Sequence, residues 1–178
     1  MEIDLVHYYF REKLYHEMLR STELSQESDP SDLTSNLYIG VAHFLNGRLS
    51  EALDQLQPLT SEPNIALAAL LASIHIHKQC KMPDKEAIYK AEQLLKDEMK
   101  LPHETALLNA ADILFMVGKI EKARDFLHRL MKLNPESLRG LVLKGWIELT
   151  EGNKRLLYLA FDLLLPRTLF VWMPCLVR

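Results

Sequence analysis

The chain is poor in the residues that staple, coordinate or catalyse. It has two cysteines in 178 residues, Cys80 and Cys175, with no CxxC or CxxxC pair. That excludes a disulfide framework and a cysteine zinc site, and it fits a reducing compartment. Charge of one sign is also lacking: the net charge is −3 and the pI is near 6.2. No basic field is present to attract nucleic acid or anionic lipid. The start, Met1-Glu2-Ile3-Asp4, is acidic and lacks the basic and apolar regions of a signal peptide, so a cytoplasmic protein is expected. No HExxH, GxxxxGK[ST] or GxSxG occurs, no strand pattern stands out, and no glycine-rich loop follows one. No cofactor, metal or small-molecule substrate is expected, and the chain does not read as an enzyme.

Histidines were the remaining chance for chemistry, and their spacing removes it. His75 and His77 are two apart on a helix, pointing to opposite sides, and His7 and His16 are not at an i, i+4 spacing. His43, His103 and His128 fall in different segments. Each reads as a core or surface histidine rather than a ligand.

Glycine is scarce as well, six in all, and its placement carries the strongest signal. Gly47 and Gly118 lie in matching segments, Asn46-Gly47-Arg48-Leu49-Ser50-Glu51-Ala52-Leu53 and Val117-Gly118-Lys119-Ile120-Glu121-Lys122-Ala123-Arg124. Gly152 follows Gly118 by 34 residues, and Gly145 precedes it by seven, as Gly40 precedes Gly47. A 34-residue period of helix, glycine turn and helix is the pattern of tetratricopeptide repeats. The fold class expected is therefore all-α: a solenoid of about five antiparallel helix pairs forming a right-handed superhelix. Such arrays act by binding.

The units are placed at 3–30, 31–63, 64–102, 103–135 and 136–165, with the regular array covering 1–152. The first is degenerate, because the turn glycine is missing. The third has a longer connection, Lys78 to Asp84, which accounts for the 71 residues between Gly47 and Gly118. Asp84 is expected to cap its second helix, with Ala87, Ala91, Leu94 and Leu95 facing inward. Small residues mark where paired helices cross closely: Gly40, Ala111 and Gly145 on first helices, Ala52 and Ala123 on second ones. In repeat phase, Leu37, Val41, Phe44, Leu108, Phe115, Met116 and Trp146 fall toward the concave side. Most such aromatics pack a superhelix; the alternative is that these seven line a protein-binding groove with aromatic anchors.

Residues 153–178 form a divergent apolar segment. A membrane span needs about 20 uninterrupted apolar residues, and Asp162, Pro166, Arg167 and Pro174 break this one. Stacking on the preceding unit is expected instead, with a tail-anchored product as a further reading.

Several collinear blocks carry a closer likeness. Val6-His7-Tyr8-Tyr9-Phe10-Arg11-Glu12-Lys13-Leu14-Tyr15-His16, Ala69 to Lys78, and Pro83 to Ile88 are three of them. Gly118 to Leu133 and Val142 to Thr150 complete the set. Together they resemble the opening of the tetratricopeptide repeat protein 21 family. The resemblance implies a non-enzymatic scaffold, part of a subunit of intraflagellar transport complex A. It implies retrograde transport and protein delivery in the cilium, the other complex A subunits as partners, and the axoneme or ciliary base as location. The alternative is a generic cytosolic repeat adaptor or chaperone cofactor. That reading meets an obstacle in Leu37, Val41, Leu108 and Asp112, which cannot pair a bound carboxylate.

Overall fold

The computed structural model describes residues 3–100 and 102–152, and the described residues are helical with no strand. They form an all-α repeat solenoid. The helices are α1 (Ile3–Arg11), α2 (Tyr15–Ser28), α3 (Leu33–Leu45), α4 (Leu49–Leu56), α5 (Ala66–Gln79), α6 (Lys85–Glu98), α7 (Glu104–Met116), α8 (Ile120–Leu133) and α9 (Leu138–Thr150). A short 3-10 turn, Pro58–Ser61, follows α4. Antiparallel neighbours α3/α4, α5/α6 and α7/α8 are the paired helices of successive units. The expected second helix of a fifth unit, and the apolar segment 153–178, lie outside the described residues.

The turn glycines do what their period implies. Gly47 and Gly118 have φ of 79° and 76°, a left-handed conformation that side chains disfavour. Each closes the same pair of bonds at a helix end. Gly47 N–H donates to Phe44 O at 2.9 Å and Arg48 N–H to His43 O at 2.9 Å. Gly118 N–H donates to Phe115 O at 3.0 Å and Lys119 N–H to Leu114 O at 2.8 Å. This is the Schellman arrangement, which satisfies carbonyls that the helix end would leave bare. Gly152, at φ 75°, begins a third copy with a bond to Leu149 O of 3.1 Å.

A fourth copy is hidden where sequence offers no glycine. Lys13, 34 residues before Gly47, has φ 58°. Its N–H donates to Phe10 O at 3.1 Å, and Leu14 N–H donates to Tyr9 O at 2.8 Å. The α1/α2 connection therefore keeps both the phase and the geometry of the repeat, with a lysine forced into the glycine conformation. A left-handed non-glycine residue costs roughly 1–2 kcal/mol. Lys13→Gly is expected to recover about 1 kcal/mol of this, read as a higher urea midpoint at unchanged helical content.

The other boundaries follow from capping chemistry. Asp32 accepts a bond from Thr34 N–H at 3.0 Å, and Asp84 accepts from Glu86 and Ala87 N–H at 3.0 Å each. Those bonds hold the Asp84 carboxyl below the usual aspartate range, with the Ala87 bond first. Asp29, just before Pro30, ends α2.

The close crossings are decided by small residues. A Cβ on Gly40 would stand 2.8 Å from Leu56 Cγ, so α3 and α4 touch only because glycine is there. Ala52, Ala111 and Ala123 are fully buried, and Gly145 is buried too. The structure adds Gly140, not singled out from the sequence: a Cβ there would meet Leu130 Cδ2 at 3.0 Å and Met131 Sδ at 3.3 Å. The close approach of α8 and α9 depends on it. Arg124 reinforces the same junction through ion pairs to Glu148, at 3.5 Å, and to Glu151.

One expectation needs correction. Ala87, Ala91 and Leu95 of α6 are only half-buried, Leu94 is 51 % exposed, and no residue of α6 is buried. After the glycine-free connection, α6 packs on α5 but stands off from α4 and α8. Clefts of about 390 Å³ and 460 Å³ open on its two sides. Within the unit, Lys78 and Glu92 still tie α5 to α6 at 2.8 Å.

Candidate protein-binding groove

The first helices of successive units are α3, α5, α7 and α9. Their sequences are apolar on nearly every side, and the buried residues show it: eleven consecutive positions of α7, Ala106 to Met116, are buried. Within that run stands one carboxylate, Asp112, 3 % exposed. A buried acid costs several kcal/mol unless its oxygens are matched by donors. It finds two, and both come from helices near the start of the chain. Tyr38 Oη, on α3, donates to Oδ2. His7 Nε2, on α1, lies 2.6 Å from Oδ1. An ionised carboxylate accepts only, so the histidine proton belongs on Nε2.

Burial first, and then the Asp112 charge and the hydrogen bond to it, push the Tyr38 hydroxyl well above the ordinary tyrosine range. Arg139, at the start of α9, opposes that shift. Tyr38 is thus a fixed donor at any physiological pH. Four helices, α1, α3, α7 and α9, converge on one polar knot inside an apolar core.

Aromatic rings surround the knot. His7 lies 6.2 Å from the Phe115 ring and 5.7 Å from Trp146, centroid to centroid. Phe10 meets Phe115 edge-on at 5.3 Å. Such pairs add about 0.5–1.5 kcal/mol each beyond the area they bury. Since α1 is the first helix of the first unit, its contacts with α7 and α9 skip over the intervening repeats. The N-terminal helix lies across the inner face of its own array.

That placement corrects the picture of an open groove. Leu37, Val41, Leu108, Phe115, Met116 and Trp146 are each 7 % exposed or less. Phe44 is half-buried, with its ring 5.5 Å from that of His75. Phe115 and Trp146 are covered because α1 occupies the space in front of them. Leu37 and Val41 belong to the helix-packing core with Ile39 and Leu56. Periodicity could not register that an earlier segment of the same chain packs over Phe115 and Trp146.

His7, Tyr38, Asp112 and Arg139 were not among the site residues expected from sequence. One signal was available: an aspartate with Ala110, Ala111, Ile113 and Leu114 around it demands a partner. The identity of that partner, 105 positions away, was not readable. Beside the knot the groove is incompletely filled. An open cleft of about 180 Å³ is lined by Asp4, His7 and Asp112, with Leu138, Arg139 and Val142 at its edge. Leu138 is 64 % exposed there.

Comparison with known proteins agrees with the blocks noted in the sequence. A family profile described as "Tetratricopeptide repeat protein 21 N-terminal ARM repeat" matches residues 6–162. Tetratricopeptide repeat protein 21B of Homo sapiens is 31 % identical over 150 residues, covering 84 % of this chain. Tetratricopeptide repeat protein 21A of Mus musculus is 30 % identical over 146 residues, or 82 % of the chain. The homologue from Caenorhabditis elegans is 28 % identical over 156 residues. The chain spans only 11 % of the first two relatives and 12 % of the third. The family description names armadillo-type rather than tetratricopeptide units for this part; both are stacked helical repeats.

Proposed function

Because the chain belongs to the tetratricopeptide repeat protein 21 family, we propose that it is a non-enzymatic protein-interaction scaffold, the N-terminal part of an intraflagellar transport complex A subunit. In this reading it acts in retrograde ciliary transport and in protein delivery to the cilium. Its partners are other complex A subunits, and it works in the cytoplasm and at the ciliary base or axoneme.

The observation that carries the reading is the collinear match from residue 6 onward, which embraces every described helix except the first three residues of α1. A generic repeat likeness would not require one match running through all of these units. The physical form suits the role. A stacked array presents long faces, and this one leaves apolar side chains such as Tyr89, Leu94 and Leu133 at its outer surface. Faces of that kind serve protein contact.

Tagged full-length chain mixed with extract from ciliated cells should retain complex A subunits. Retention of chaperones alone would favour the generic adaptor and sink the ciliary assignment. A co-purifying enzymatic activity abolished by no surface substitution would not rescue it.

A further inference from the structure

Between α6 and the start of α8 lies an open cleft of about 460 Å³. Its floor is apolar: Ile74 and Leu114 are buried, and Leu71 and Leu95 are half-buried. Its rim is basic. Lys78 stands near the end of α5, and Lys119 and Lys122 stand at the start of α8. The acid in this lining is Glu92, and Lys78 already engages it at 2.8 Å. Lys119 and Lys122 make no ion pair among the described residues.

Two observations show that this charge is unbalanced. The first is where the two lysines stand. They are three residues apart on the opening turn of a helix, close enough to repel, where the helix dipole also disfavours positive charge. Glu121 lies between them in sequence but does not line the cleft. The lysine pair thus runs against the preference of its own segment, as groups at functional sites do. The second is His75, half-buried in the same cleft. Burial first, and then the charges of Lys119 and Lys122, hold its imidazole below the ordinary histidine range. The field inside the cleft is positive, although the chain as a whole carries a net charge of −3.

We propose that this cleft docks an acidic segment of a partner protein, in which an apolar side chain is flanked by carboxylates. The apolar side chain covers the floor of Leu71, Ile74, Leu95 and Leu114, and the carboxylates meet Lys119 and Lys122. Because Lys78 is neutralised by Glu92, the acids are held on the α8 wall, which fixes how the segment lies. Nucleic acid fits poorly: its affinity grows with the number of phosphates neutralised, and two unpaired lysines on an acidic chain neutralise few. A bilayer surface cannot follow a floor recessed between helices, and a free phosphate would leave that floor bare. This goes beyond the ciliary assignment, and failure of the complex A pull-down would leave it standing.

A library of random nine-residue peptides displayed on phage, selected on the full chain, supplies the probe. Enriched sequences are expected to carry two or more acidic residues beside an aliphatic or aromatic one. The most enriched peptide, labelled with fluorescein and followed by anisotropy, should bind saturably. Its binding should weaken by about tenfold or more on the full chain carrying Lys119→Glu and Lys122→Glu. Lys144→Glu, an exposed charge reversal on α9 outside the cleft, should change it little. If the paired reversals alter helical content by circular dichroism, Lys119→Gln with Lys122→Gln takes their place in the same comparison. No enrichment, enriched sequences without acids, or equal weakening by Lys144→Glu overturns the proposal. Binding of phosphatidylserine vesicles or of single-stranded DNA that the paired reversals abolish, with peptide binding untouched, overturns it in favour of those occupants.

Discussion

Phe115→Ala is expected to lower stability by about 3–5 kcal/mol, the usual cost of truncating a buried phenylalanine. The side chain is 2 % exposed and holds the rings of both Phe10 and His7. Two losses therefore coincide. A cavity opens on α7, and α1 loses the surface on which it is folded. The array cannot collapse into the space easily, because Ala110, Ala111 and Ile113 beside it are already fully buried. Urea unfolding followed by circular dichroism measures the change. An unaltered midpoint would mean that Phe115 lines an open groove after all, contributing to binding and little to packing. Phe44→Ala makes the natural comparison. Its half-buried ring is expected to cost less than Phe115→Ala in the same measurement.

Asp112→Ala is expected to cost a similar amount, about 3–5 kcal/mol, by a different mechanism. Little volume is lost. Instead Tyr38 Oη and His7 Nε2 both lose their acceptor inside the core, and each stranded polar group costs about 1–3 kcal/mol. Asp112→Asn should be milder, since its remaining oxygen can still accept one of the two bonds. Replacing the whole knot, with His7→Phe, Tyr38→Phe and Asp112→Leu together, should be milder than Asp112→Ala. Hydrogen-bond energetics are asymmetric in this way: removing one partner is costly, while removing all of them is close to neutral. If the triple substitution is as damaging as Asp112→Ala, packing shape and not polar matching holds the four helices together.

How much of this was legible beforehand depends on the range of each interaction. Turns at Gly47, Gly118 and Gly152 and the cap at Asp84 are local, fixed within five or six residues. All were available from periodicity and turn chemistry. The Lys13 turn was equally local yet invisible, because lysine carries no preference for the left-handed region. Its position, one period before Gly47, is what would have betrayed it. Gly140 was overlooked for a related reason. Its partner atoms belong to Leu130 and Met131 on the preceding helix, and nothing in its own segment marks it as a crossing point.

The outlying cases concern the groove and α6. Repeat phase assigned Phe115 and Trp146 to the inner side, and in the structure both are buried against α1. Phase says nothing about what else lies on that side. The inward face assigned to α6 failed because a helix with apolar positions has to have something to press against. α6 packs on α5, and clefts separate it from α4 on one side and from α8 on the other.

By itself, then, the sequence determined that the chain is a helical repeat array, where its turns fall, and which family it belongs to. Those properties follow from short-range backbone preferences and from a pattern repeated along the chain. Only the tertiary structure decided that α1 folds back across the inner face and that His7, Tyr38 and Asp112 meet. Those residues are 74 and 105 positions apart in the two bonded pairs. Nothing local encodes such a meeting, because a buried carboxylate states that it needs donors without stating which ones.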